Sequence, residues 1–221
     1  YKDFLLFYRL GDFYEMFFDD AIVASRELEL TLTGRDCGEA ERAPMCGVPF
    51  HSADNYIARL VKNGYKVAIC EQVEDPSVAK GIVKREVIRV ISPGTMLEDS
   101  YLQGRTSNYL VSVTKGETGY GCAIVDASTG EFMATEIPDW HMLHNEFWRH
   151  DPVECLISAD DEVLLEEINR IAGENRVTIT THSAHAFVYR NAEKMILEHF
   201  HINALNSLGC EDKPMLVCAA G

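Results

Sequence analysis

No apolar stretch in the 221-residue chain approaches the ~18 residues of a membrane span. No segment reads as a signal peptide. The cysteines do not form a framework. There are seven (Cys37, Cys46, Cys70, Cys122, Cys155, Cys210 and Cys218), an odd number with no CxxC among them. Neither a zinc ribbon nor a thioredoxin-type motif is therefore indicated. Cys70, Cys122 and Cys155 lie in apolar runs, where cysteine acts as a small hydrophobe, and the chain reads as one that works in a reducing cytoplasm. No GxxxxGK[ST] phosphate loop and no HExxH pair occurs. Positive charge is scarce: 20 Lys and Arg face 35 Asp and Glu, a net charge of −15. That balance excludes a broadly basic nucleic-acid-binding surface.

What is present points to packed, water-soluble domains. Hydrophobic residues make up 47% and charged residues 25%, enough for one large core or two ordinary ones. Residues 1–105 carry 13 Lys/Arg and 17 Asp/Glu, net −4, whereas residues 106–221 carry 7 and 18, net −11. Any DNA-facing patch is expected in the first half, as a local feature. The acidic second half suits a protein partner or simple solubility. The chain opens on Tyr1 rather than methionine, which reads as an excerpt or a trimmed N-terminus.

The first half alternates short strands and helices. Leu5–Leu10 reads as a strand and Gly11-Asp12 as a turn. A helix is expected from Asp19-Asp20 to about Glu29, with Phe18, Ala21, Ile22 and Ser25 on one face. Residues 34–50, with Gly34, Gly38, Pro44, Gly47 and Pro49, read as loop. Ser52 is the expected N-cap of a helix whose apolar positions are Ala53, Tyr56, Ile57, Leu60 and Val61, ended by Gly64. Tyr65–Val73 and Glu86–Ile91 read as strands, with a turn at Pro93-Gly94. In the second half three strands are expected near 109–113, 120–126 and 131–137. A helix at 139–149, a strand at 155–158, a helix at 162–172, a strand at 177–180 and a helix at 190–200 follow. The polar stretch 98–107 is the natural linker.

Gly11-Asp12-Phe13-Tyr14-Glu15-Met16-Phe17 is the most informative segment. One reading sends all its aromatics into a core. Phe13 and Glu15 lie two apart, however, and on extended backbone they share a face. A carboxylate beside an aromatic is poorly suited to a core, since burying a charge is costly. It suits a surface that stacks on a ring and hydrogen-bonds to it.

Three ungapped stretches, "FYRLGDFYEMFFDDA", "PMCGVPFHSADNYIARLVKNGYKVAICEQVEDP" and "VKREVIRVISPGT", run in order across residues 4–97. Together they resemble the N-terminal mismatch-binding domain of the bacterial MutS family. Residues 107–221, most clearly "YGCAIVDASTGEF", resemble the connector domain that follows it. The resemblance implies an α/β architecture: a mixed-sheet α+β mismatch-recognition domain at 1–98, a linker at 99–107, and a three-layer RNase H-like connector at 108–221. It assigns Phe13 to wedging into the minor groove at a mispaired base and Glu15 to a hydrogen bond with that base. Kinking a base step costs a few kcal/mol, least where pairing is already broken, and stacking on an aromatic returns roughly 1–3 kcal/mol whatever the base. Mismatched duplexes are thus read through their deformability. Glu15 has two open roles: protonated it can donate to the base, ionised it penalises normal duplex.

Asp12 joins the DNA-binding set through its place in the motif. Lys66, Arg85 and Arg89 are expected to position phosphates, with Arg85 and Arg89 the one pair on their strand able to share a side. Arg35 and Arg42 are weaker candidates. The resemblance further implies mismatched double-stranded DNA as ligand, a MutL-type partner on the connector, a homodimer at full length and a cytoplasmic, nucleoid-associated location. It implies no catalytic site, metal or cofactor in this segment, with ATP and Mg²⁺ belonging to an ATPase domain outside it. Two other readings stand beside it. One is a metal-dependent nuclease built on Asp126, with Glu154, Asp160 and Asp161 nearby. The other is a protein-interaction module, with Trp140, Phe147 and Trp148 on one helix. The histidine pairs (His141/His144, His182/His185 and His199/His201) read as surface residues.

Overall fold

The computed structural model describes residues 1–38, 42–74, 83–97, 107–175 and 177–221. The chain divides into two compact units, Tyr1–Gln103 and Gly104–Gly221. Most of the expected linker, residues 98–106, lies outside the described residues. Both units are mixed α/β.

The first unit is a six-stranded sheet with two helices on one face. Its strands are β1 (Leu5–Leu10), β2 (Phe13–Phe17), β3 (Thr33–Arg35), β4 (Ala43–Pro49), β5 (Val67–Gln72) and β6 (Arg85–Ile91), in the order β3-β4-β2-β1-β5-β6. Only β1 and β5 run parallel. Helices α1 (Phe18–Leu28) and α2 (Ala53–Lys62) cover the sheet through Ala21, Ala24 and Leu28 and through Ile57, Leu60 and Val61. Phe7 and Met16, wholly buried beneath them, contribute about 1.5–3 kcal/mol each. Alternation along β1 and β2 sends Leu5, Phe7, Tyr14 and Met16 to this core and leaves Phe13, Glu15 and Phe17 on the opposite face.

Three local expectations are corrected. Residues 43–49 are a strand, not a loop. Pro44 lacks an N–H, but it pairs only with Gly34 of the edge strand β3, and Pro49 is the last residue of β4, so the central ladder with β2 is spared. The buried face of α1 is Ala21, Ala24 and Leu28, while Phe18 and Ile22 are exposed. Phe18 has φ +53, so the helix starts rotated from its apolar residue. Ser52 does not cap α2 with its side chain; its hydroxyl donates back to the Pro49 carbonyl at 3.2 Å, inside a 3-10 turn at Phe50–Ser52. Asp20 does more than favour the helix start, for its carboxylate accepts the Leu6 N–H at 3.0 Å. Burial raises its pKa, the Leu6 bond works against that, and neighbouring Asp19 adds to it.

The second unit is a five-stranded sheet between two helical layers. Its strands are β7 (Tyr109–Lys115), β8 (Tyr120–Asp126), β9 (Glu131–Ile137), β10 (Glu154–Ser158) and β11 (Thr178–His182), ordered β11-β10-β7-β8-β9. The first three form an antiparallel meander; β10 runs parallel to β7, and β11 to β10. Helices α3 (Trp140–His150) and α4 (Glu162–Asn175) bury Leu143, Phe147, Leu164 and Ile168 in one core. Helices α5 (Tyr189–Phe200) and α6 (Pro214–Ala220) build a second around Ala192, Ile196 and Val217. Gly121 faces α6, where a Cβ would overlap the Met215 carbonyl. Gly119, where a Cβ would overlap the Ile137 carbonyl, likewise serves close packing. Sequence periodicity had not indicated α6.

Candidate nucleic-acid interface

The β1–β2 connection contains only Gly11 and Asp12, and Leu10 pairs with Phe13 across it. Gly11 has φ +58, at the first central position of the hairpin turn, where a II′ turn takes glycine. No atom lies within 4 Å of where its Cβ would stand, so conformation rather than room demands glycine here. The turn is tied down from the core side. The Asp12 carbonyl accepts the Phe50 N–H at 3.0 Å. Arg9 Nε donates to the Gly11 carbonyl at 2.5 Å, its Nη1 lies 3.4 Å from Glu71 Oε1, and its guanidinium stacks 3.6 Å from the centre of the Phe50 ring. The Tyr14 hydroxyl donates to the same Glu71 oxygen. Burial first, then the Glu71 carboxylate, pushes the Tyr14 pKa up to about 12.

At the head of this braced hairpin, the Phe13 residue is 47% exposed, although Tyr14 and Met16 on the same strand are 8% and 0% exposed. A large apolar ring is thus left in water by a strand that buries its alternate neighbours. Asp12 beside it is exposed as well.

Glu15 shares the face of Phe13 but does not stand alone. Its Oε2 is 2.6 Å from Arg35 Nη1. Gly47 of β4 sits directly opposite Glu15, whereas Arg35 of β3 pairs with Ala43, so the guanidinium reaches Glu15 diagonally across β4. A Cβ at Gly47 would lie 3.1 Å from the Tyr14 carbonyl oxygen and 3.5 Å from Glu15 Cγ. Arg35 also lies 5.8 Å from the centre of the Phe17 ring.

The other basic candidates are not gathered into one patch. Arg85 and Arg89 do not share a side. A bulge between Ile69 and Cys70 adds a residue to β6, so Arg85 pairs with Gln72 on the Phe13 face and Arg89 with Ile69 on the helix face. Arg85 is also committed to the backbone, donating to the carbonyls of Arg9 and Val83, each at 2.8 Å, with Tyr8 beneath it at 5.1 Å. Lys66 Nζ lies 5.0 Å from the centre of the Phe4 ring. Arg9 and Gly47 entered no sequence-based site set. A glycine within an otherwise apolar strand pattern marks close approach, and would have flagged Gly47 had 43–49 been read as a strand.

In the second unit Asp126 is 1% exposed. Its carboxylate accepts the Asn108 N–H at 3.2 Å, the Ser128 N–H at 2.9 Å and the Ser128 hydroxyl at 2.6 Å. Burial opposes the ionised form, yet these bonds, with one from Thr129, outweigh it and hold the pKa below the usual carboxylate range. Buried Glu154 accepts the Thr180 hydroxyl at 2.6 Å, and Asp161 caps α4 by accepting the Leu164 N–H at 2.9 Å. Among the described residues no three His, Cys, Asp or Glu side chains come together as a metal ion would require. No helix among them is long and apolar enough to cross a membrane. Burial raises the thiol pKa of Cys46 to about 11 and of Cys122 to about 12.

Comparison with known proteins divides the chain at the same place. A family model described as MutS domain I matches residues 1–100, and one described as MutS domain II matches residues 108–221. The DNA mismatch repair protein MutS of Ruminiclostridium cellulolyticum is 52% identical over 210 residues, 93% of this chain and 24% of that protein. Its counterpart in Lachnoclostridium phytofermentans is 44% identical over 221 residues, 100% of this chain and 24% of the relative. That of Acetivibrio thermocellus is 58% identical over 163 residues, 72% and 19% respectively. The chain spans about a quarter of the length of these curated relatives. On these matches, across both units, the chain belongs to the MutS family.

Proposed function

We propose that this chain acts in DNA mismatch repair, with the first unit as the reading head for mispaired duplex and the second as a connector. Phe13 enters the minor groove and stacks on one base of a weakened step, while Glu15 hydrogen-bonds to that base. The observation that carries this reading is the half-exposed Phe13 ring at the tip of a braced two-residue hairpin, on a strand whose alternate residues are buried. Leaving a phenylalanine in water costs folding free energy that burial would have supplied. A base step can recover it: stacking returns about 1–3 kcal/mol per base and does not depend on which base is met. The Arg9–Glu71–Tyr14 network holds the turn rigid, so that the duplex rather than the protein deforms.

Arg85, on the Phe13 face, and Lys66 are assigned to phosphate positioning. Arg89 on the other face has a weaker claim, and Asp12 contributes through the turn. The second unit, net −11 over residues 106–221, is assigned to protein contacts, including a MutL-type partner. No catalytic role is assigned to this segment. ATP and Mg²⁺ chemistry and homodimer formation are assigned to the full-length protein. The test is Phe13→Ala in the full-length protein, with affinity measured for matched and single-mismatch duplexes. The preference for mismatched DNA should fall by roughly five- to a hundredfold. Equal loss for both duplexes would contradict the reading.

A further inference from the structure

Glu15 is the least conventional part of the reading head, because a carboxylate near a phosphate backbone is repelled by it. The structure places a cation on it before any DNA is present. Arg35 Nη1 lies 2.6 Å from Glu15 Oε2, and the Glu15 side chain is only 18% exposed while that of Arg35 is 49% exposed. The contact depends on a particular juxtaposition. Arg35 stands at the end of the edge strand β3, and Glu15 two strands away on β2. The two side chains meet diagonally across the strand between them, where Arg35 pairs with Ala43 and Glu15 with Gly47. Arg35 supplies a guanidinium, a permanently charged group in proteins. Its planar fork also has donors to spare beyond the one that Glu15 accepts.

We infer that Arg35 is a positioning and specificity-determining residue for the base-reading carboxylate: it holds Glu15 as an ionised acceptor, aimed at an N–H of the displaced base, and cancels its repulsion from the phosphates. This rests on the assignment of Phe13 and Glu15 as the reading pair. Of the two forms left open for Glu15, the guanidinium contact favours the ionised one, which accepts a hydrogen bond and cannot donate one. The Arg35 side chain is half exposed on an edge strand. Removing the cation while keeping a polar side chain would leave Glu15 repelled from the groove and free to turn away from the base.

The experiment measures the ratio of affinities for a duplex with one G·T mismatch and its matched counterpart, at fixed salt, in the full-length protein. It compares the unaltered protein with Arg35→Gln, Arg35→Lys, Glu15→Gln, the Arg35→Gln/Glu15→Gln double variant and Phe13→Ala. Arg35→Gln should lower the ratio about fivefold, the upper range for a half-exposed ion pair. Arg35→Lys, which keeps the charge, should stay within about twofold, and in the Glu15→Gln background Arg35→Gln should change the ratio by less than about twofold. Three results would overturn the inference: equal weakening on both duplexes, an undiminished effect without Glu15, or a Lys variant as defective as Gln. Retention of the full ratio by Phe13→Ala would instead sink the reading of the site itself, whatever the Arg35 variants do.

Discussion

Glu15 and Asp126 are both carboxylates on strands next to a hairpin, and the two units hold them in opposite ways. Asp126 ends β8 at the turn into β9. Two backbone N–H groups and a serine hydroxyl converge on it, and it is sealed from solvent. Every one of its partners belongs to the fold, so its charge is spent on holding that turn. Among the described residues Glu15 is met by one side chain that is itself half in water, and beside it lies an aromatic ring with no core to enter. A carboxylate satisfied by the backbone is a structural element. One satisfied by a single exposed arginine can exchange or share that partner with a ligand.

The comparison can be broken by substitution. Asp126→Ala removes the acceptor that the Asn108 and Ser128 N–H groups share and should destabilise the chain by about 1–3 kcal/mol in a denaturant titration. The same depressed pKa fixes a pH window. Its stabilisation is complete above the ordinary value of 3.8 and disappears as pH falls below 3.8 through the folded-state pKa, so the acid limb of stability should flatten in the variant. A smaller effect belongs to Tyr14, whose pKa is raised from 10.0 to about 12. Its contribution is complete below pH 10 and fades as pH climbs toward 12, because folding then opposes ionisation. Tyr14→Phe should remove that alkaline limb, read by thermal melts at stepped pH; an unchanged limb would mean that another group governs it. The smallest effect on folding should come from Glu15→Gln, under about 1 kcal/mol for a pair whose arginine is half exposed. Its matched-duplex affinity at low salt should nevertheless rise, because the Arg35 cation is then left unbalanced near the phosphates; unchanged affinity would contradict this.

Much of this architecture was legible in the sequence. Short apolar runs bounded by turn signals placed β1 and the meander β7–β9, and period-3.6 spacing identified Ile57, Leu60 and Val61 as the buried stripe of α2. Phe13 and Glu15 were paired on one face by their spacing alone. What escaped was set by long-range pairing. The two prolines and the glycine of 43–49 mimic a loop because their local preferences oppose a strand that β2 and β3 nonetheless stabilise from both sides. The bulge opposite Ile69 separates Arg85 from Arg89, and no local pattern announces it. The Arg35–Glu15 contact links positions 20 residues apart through a third strand, which only the register reveals. The seven-residue α6 is too short for periodicity to stand out, and its place is made by Gly121.

The central claim is that the Phe13 ring itself unstacks the base step it meets. A duplex carrying 2-aminopurine beside a single mismatch tests this most directly, since its emission rises when the base leaves the stack. Binding of the full-length protein should brighten the mismatched duplex, and Phe13→Ala, added at saturating concentration, should leave it dim. An equal rise with the alanine variant would contradict the account, because some other group would then be opening the step.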